Sequence, residues 1–274
     1  MSEVLEMVGA VCSEAWSHAD SVHAVIGTVA VSAGLFAVSV FRPIAVVPEE
    51  FYAPGRRAGL RTIAVAMLFA LVTVQIERGG WLTRADPFVS SWFARHRTGT
   101  STAVAGTVNR LSDPRIVIAE TVVVATILVC TRRRSAAALI TAPVVLVFVT
   151  GWCVKLLADH EQPGGTWLGV LNAGTFPGAP IGGVTALVGA LAMMCAGVDG
   201  RSSRQAAVIW SLVVASVGVV GVAALSAGTH RATDAAAGAL AGVAAVSVIA
   251  IVRASGVNRA LPDHADTVAQ SVSR

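Results

Sequence analysis

The 274 residues are 55% hydrophobic, 13% charged and 5% aromatic, with a mean hydropathy of +0.72. A soluble domain carries about 25% charged residues, so this composition excludes soluble, disordered, collagen-like and disulfide-scaffold classes and points to an integral membrane protein. The net charge of +4 comes from short basic clusters between apolar runs, so no nucleic-acid partner is expected.

The first nineteen residues carry Glu3, Glu6 and Glu14 but no Lys or Arg. A secretory signal begins with basic residues, so the first apolar run is read as a retained helix. Seven apolar runs follow in chain order: Val22–Val40, Leu60–Ile76, Ile116–Thr131, Ala136–Leu157, Ile181–Val198, Ala206–Ser226 and Ala232–Val252. A span needs about 20 residues, with roughly 17 as the low end. The expected architecture is therefore all-α: a polytopic bundle of about seven spans, rich in small residues that let helices approach closely. Residues 1–21 form an N-terminal outer segment. Residues 22–59 hold a first span and its following loop, 60–252 the main bundle, and 253–274 a polar tail. The four cysteines form no C-x-x-C pair and read as small buried hydrophobes.

Basic residues set the expected orientation. Arg42, Arg56 and Arg57, then Arg132 to Arg134, then Arg201 and Arg204, then Arg253 and Arg259 alternate across successive spans. These loops are expected in the cytoplasm, with the N-terminus outside a plasma (inner) membrane and the C-terminus inside. Segments 77–115, 158–180 and 227–231 then lie outside. Within the first of these, Asp86-Pro87-Phe88-Val89-Ser90-Ser91-Trp92-Phe93 reads as a short amphipathic helix at the interface.

Unusual polar groups collect on that outer side, where they call for a functional explanation. Lys155, the chain's one lysine, ends the fourth run and Asp159-His160-Glu161-Gln162-Pro163 follows. Phe176-Pro177-Gly178-Ala179-Pro180 opens the fifth run, and Gly228-Thr229-His230-Arg231-Ala232-Thr233-Asp234 opens the seventh. His230 and Asp234 are spaced i, i+4, which would put them on one face of a helical turn. A carboxylate so placed fixes the imidazole tautomer and raises its basicity, half of what a nucleophilic or general-base histidine requires. The same residues also fit a plain helix start, and Lys155 fits a snorkelling side chain. Gln75 and Glu120, inside apolar runs, read as interhelical hydrogen-bonding groups.

In order and spacing these segments resemble the type 2 phosphatidic acid phosphatase family, with its six-helix membrane bundle and motifs K-x6-R-P, P-S-G-H and S-R-x5-H-x3-D. Here the first reads Lys155, six residues, then Gln162-Pro163. The second reads Pro177-Gly178-Ala179-Pro180, followed by Gly183, Thr185 and Ala186. The third reads Ala223-Ala224, five residues, His230, three residues, Asp234, with Gly228, Gly238 and Gly242 around it. The resemblance covers residues 60–252 and makes the first span an addition. It implies His230 as nucleophile, Asp234 as its orienter, and phosphate contacts at the positions of Lys155 and Gln162, with the neighbouring Arg231 as a substitute clamp. It also marks departures. The proton donor's position is Pro180, the two arginine positions are Gln162 and Ala224, and the serine and glycine positions are Gly178 and Ala179.

Three readings stand on these residues. One is a family-like bundle without phosphatase chemistry that binds a lipid or serves as an accessory subunit to partner membrane proteins. The second is an active lipid-phosphate phosphatase or phosphotransferase acting on polyprenyl or other lipid phosphates through His230. The third is a metal or proton site built from Asp159, His160, Glu161, His230 and Asp234. Neither of the first two implies a cofactor or metal.

Overall fold

The computed structural model describes residues 21–40, 54–157, 178–196 and 202–259. In these the chain forms nine α-helices: α1 (Val22–Val40), α2 (Pro54–Glu77), α3 (Asp86–Arg95), α4 (Gly99–Leu111), α5 (Pro114–Cys130), α6 (Arg134–Leu157), α7 (Ala179–Ala196), α8 (Ser203–Ala227) and α9 (Ala232–Arg259). A 3₁₀ turn, Trp81–Ala85, joins α2 to α3. The protein is an all-α membrane bundle. Five stretches of α2, α6, α7, α8 and α9 are long and apolar enough to cross a bilayer by length and composition, each 18 to 24 residues. The described part of α1, Val22–Ala37, is apolar but shorter, and α5 has 17 residues, the low end for a span. Several helices outrun the apolar stretches that signal them; α9 continues to Arg259.

Helices α2 and α5 to α9 make the core, and α1 packs chiefly on α2 at its edge. Val117, Ile140, Val144, Val147, Ala186, Leu187, Ala190 and Ala245 pack into one buried cluster from α5, α6, α7 and α9. Large apolar side chains such as Phe36, Val123, Ile127, Leu212 and Val214 point outward, as expected where the surroundings are lipid. Cys130, Cys153 and Cys195 are also exposed, which corrects the expectation that they are buried. They sit on outward helix faces, where a thiol is apolar enough for lipid.

Close packing of α7 on α9 positions the site. A Cβ on Gly242 would lie 2.5 Å from the Thr185 Cβ and 2.8 Å from the Gly182 carbonyl oxygen. One on Gly182 would lie 3.0 Å from the Gly238 oxygen, and one on Gly238 would meet the Gly178 carbonyl. Gly178 and Gly182 face Gly238 and Gly242, so a four-residue glycine repeat on each strand of the contact brings the two backbones together.

Helix ends follow local sequence. Thr98 with Ser101, and Ser202 with Gln205, form reciprocal capping boxes on α4 and α8. Asp113 caps α5 ahead of Pro114. Helices α2, α5 and α8 each stop on a left-handed residue, Gly79 (φ 59°), Arg132 (φ 60°) and Gly228 (φ 73°). At each, the next amide returns to a carbonyl one turn back: Gly80 to Gln75, Arg133 to Leu128, Thr229 to Ala224. Alternation through the bundle gathers the ends carrying Gly79, Pro114, Leu157, Ala179, Gly228 and Ala232 at one end. Arg132 to Arg134, Arg204 and Arg253 lie at the other.

Candidate functional site

The site is built around the start of α9. Arg231 is the residue whose carbonyl accepts the first helical bond, from Ala235 at 3.0 Å. Arginine has no side-chain acceptor for the free amides of a first turn, so two carboxylates supply one. Asp234 Oδ2 accepts from the Arg231 amide at 3.4 Å. Asp86, the first residue of α3, accepts from the Thr233 amide (3.1 Å) and from the Thr233 hydroxyl (2.6 Å). Asp86 is only 4% exposed. A buried carboxylate is costly unless hydrogen-bonded, and here both oxygens are. Its charge also complements the positive end of the α9 dipole.

Helix α3 therefore has two faces of consequence. Phe88 and Trp92 are exposed as interfacial aromatics are, which agrees with an amphipathic helix. Its first residue reaches inward to α9. Sequence reading places this helix but not Asp86's role, because the bond joins positions 147 residues apart. Gln75, fully buried, accepts from the Leu82 amide at 3.0 Å and so also ties the α2–α3 connection. Glu120 is exposed on α5.

His230 lies in the link between α8 and α9, not on the helix, so it and Asp234 do not share a helical turn. It is 8% exposed, and its Nδ1 is buried with no hydrogen-bond partner among the described residues. Burial holds its pKa below the ordinary 6.5, while the nearby Asp234 charge works in the opposite direction. The imidazole is therefore neutral at physiological pH. Asp234 acts on it through space, while its carboxylate accepts a hydrogen bond from the Arg231 backbone.

The segments that carry the motifs meet at this end. The Gly178 amide donates to the Asp234 carbonyl at 3.3 Å, and a Cβ on Gly178 would stand 2.8 Å from that oxygen. Glycine at 178 is thus a packing requirement of α7 against α9. Pro180 is the second residue of α7, where a missing N–H costs the helix no bond. Ala224 is buried beside Ile181 and Val220. Its carbonyl accepts from the Thr229 amide (3.1 Å) and hydroxyl (3.2 Å), which shapes the approach to His230. Arg231 is exposed, with its charge beside Asp234.

Lys155 sits in the last turn of α6. Val147 of α6 and Gly238 of α9 both touch the Gly182 position. Lys155 lies eight residues beyond Val147 toward this end, and His230 eight residues before Gly238. Both therefore belong to the same end of the bundle. The Lys155 side chain, and Asp159, His160, Glu161, Gln162, Pro163 and Pro177, lie outside the described residues. Among the described residues no three His, Cys, Asp or Glu side chains gather as metal ligands.

A cation not anticipated from sequence also stands here. The Arg97 guanidinium rests on the backbone of Gly228: a Cβ built there would fall 2.6 Å from Arg97 Nη2. Arg97 enters from the α3–α4 link, and Asn109 of α4 donates to the Ala223 carbonyl at 3.5 Å, fastening α4 to α8.

No family model matches the chain, and no curated protein matches it in sequence. Its fold is similar to the crystal structure of a transmembrane PAP2-type phosphatidylglycerolphosphate phosphatase from Bacillus subtilis. The two share 13% identity with a TM-score of 0.58, over 74% of this chain and 98% of that one. The fold implied by the motif resemblance is thus the fold found: a PAP2-like membrane bundle.

Proposed function

We propose that this chain is a PAP2-like membrane protein without phosphatase turnover, which binds lipid phosphate at its His230 end or serves there as an accessory subunit to another membrane protein. One observation carries the reading. His230 Nδ1 has no partner among the described residues, while the Asp234 carboxylate bonds the Arg231 backbone. A nucleophilic histidine needs its second nitrogen held so that the first presents its lone pair. Pro180 supports the same reading, since it has no proton to give a leaving group. A missing general acid costs about 10²–10⁴ in rate, and a missing charge clamp about 10²–10³. Losses within one catalytic unit do not simply multiply, yet either alone would suppress ordinary turnover.

The charge rule supports a multi-pass protein of the plasma (inner) membrane, with the arginine-rich end in the cytoplasm, the N-terminus outside and the C-terminus inside. The His230 end then opens to the outer leaflet, where polyprenyl or other lipid phosphates would reach it.

Purified protein in detergent, offered a panel of lipid phosphates, tests the reading by phosphate release and by binding. Binding without release is the expected result. Release that His230→Ala abolishes overturns it in favour of the second reading, a lipid-phosphate phosphatase or phosphotransferase with His230 as nucleophile and Asp234 as its orienter. What favours that reading is the burial that keeps His230 neutral, since only a neutral imidazole attacks phosphorus.

A further inference from the structure

We propose that Arg97 is the cationic anchor of the His230 end, holding the phosphate of an anionic headgroup where positions 162 and 224 carry no arginine. The inference rests on that end being a lipid-phosphate site and adds the residue that does the holding. Four observations support it.

The guanidinium lies on Gly228, one helical turn beyond Ala224 on α8 and two residues before His230. Glycine is needed there twice over: φ is +73°, and a side chain would displace Arg97.

Arg97 is held between two anchored neighbours. His96 stacks on Trp92 at 4.4 Å and its Nδ1 lies 2.8 Å from the Trp92 carbonyl oxygen. Thr98 is locked into the α4 capping box with Ser101. A side chain on so constrained a link loses less freedom on binding, which favours affinity.

Among the described residues Arg97 has no hydrogen bond or ion pair. Arg95, by contrast, donates from Nε to its own helix at Ser91, 3.3 Å, and the Arg231 charge stands beside Asp234. Of the described carboxylates at this end, Asp86 accepts both Thr233 donors and Asp234 accepts from the Arg231 amide.

The chemistry fits. A planar guanidinium offers paired donors that match phosphate oxygens. Two residues on, the buried His230 Nδ1 has no hydrogen-bond partner among the described residues, a polar atom open to a ligand.

The test is calorimetry on the full chain in neutral phosphatidylcholine nanodiscs, titrated with short-chain phosphatidic acid, inorganic phosphate and short-chain diacylglycerol. Phosphatidic acid is expected to bind and diacylglycerol not. Arg97→Gln should weaken binding by about tenfold or more. Arg97→Lys, which keeps the charge but loses the fork, should fall between. Arg204→Gln, at the opposite end, should change nothing. Binding of inorganic phosphate that Arg97→Gln removes supports the anchor as a reader of phosphate alone. Binding of phosphatidic acid only, again lost in Arg97→Gln, supports it as a reader of the headgroup in its lipid. Affinity within about twofold of wild type in Arg97→Gln overturns Arg97 as anchor while leaving the binding site standing. Wild-type protein that binds neither phosphate-bearing probe overturns the binding site, and the anchor with it.

Discussion

Removing the Asp86 carboxylate tests whether α3 holds the start of α9. Asp86 receives two hydrogen bonds from Thr233, at 3.1 and 2.6 Å, in a buried position. Bonds to a charged acceptor contribute about 1.5–3 kcal/mol each, and a buried donor left unpaired costs about 1–3 kcal/mol. Asp86→Ala deprives the Thr233 amide and hydroxyl together, so a loss of about 3 kcal/mol is expected. Asp86→Asn keeps one oxygen for the amide and should lose about 1 kcal/mol. Reversible unfolding in mixed micelles measures both. Thr233→Val removes the hydroxyl and keeps the amide, so the Asp86→Ala/Thr233→Val cycle isolates the 2.6 Å bond, with an expected coupling of about 1.5 kcal/mol. A coupling below about 0.5 kcal/mol, the scatter between independent sites, would refute the staple.

Three further outcomes follow from particular contacts. Gly238→Ala places a methyl against the Gly178 carbonyl and should destabilise by about 1–3 kcal/mol, read by the same unfolding titration. Arg132→Gly relieves a left-handed φ of 60° and should stabilise by about 0.5–1 kcal/mol after the entropy of the added glycine is counted; a loss would contradict the strain. His230 has a folded pKa lowered below 6.5 by burial, against the opposing Asp234 charge. Below 6.5 the unfolded chain binds a proton that the folded chain refuses. Stability should therefore be fullest above pH 6.5 and fall as pH drops from 6.5 toward the folded value. Unfolding across that range in wild type and His230→Gln checks this, and a slope unchanged in the variant would contradict it.

Much of the fold was legible because lipid imposes a simple rule: long apolar runs become helices and their basic flanks mark the turns. The helix ends rest on local chemistry that the apolar runs did not mark, as in the capping box at Ser202–Gln205 and the glycine stop at Gly228. The end of α5 was legible in the apolar run that stops at Thr131, but the left-handed φ of Arg132 was not, because nothing in its side chain announces it. The glycines at 178, 238 and 242 looked like motif residues or motif losses, and Gly182 did not stand out. Their shared reason, two backbones in contact, needs the partner helix to be known.

The same limit governs the site. His230 and Asp234 stood out by type and spacing, but the helix starts after His230, so their spacing did not carry the geometry it suggested. Asp86 reads as one more first-turn acid of an amphipathic helix, and only the fold brings it to Thr233. Arg97 lies among other arginines in 77–115 and gains meaning from the bare backbone at Gly228.

In the proposed function His230 sits at a ligand-binding end but does not attack phosphorus. Acid-quenched trapping with phosphate-labelled phosphatidic acid tests this most directly, because a nucleophilic histidine leaves a phosphorylated protein before water releases it. No labelled protein in wild type, alongside measurable binding of the same lipid, is the predicted result. An acid-labile label on wild type that His230→Ala eliminates would contradict it.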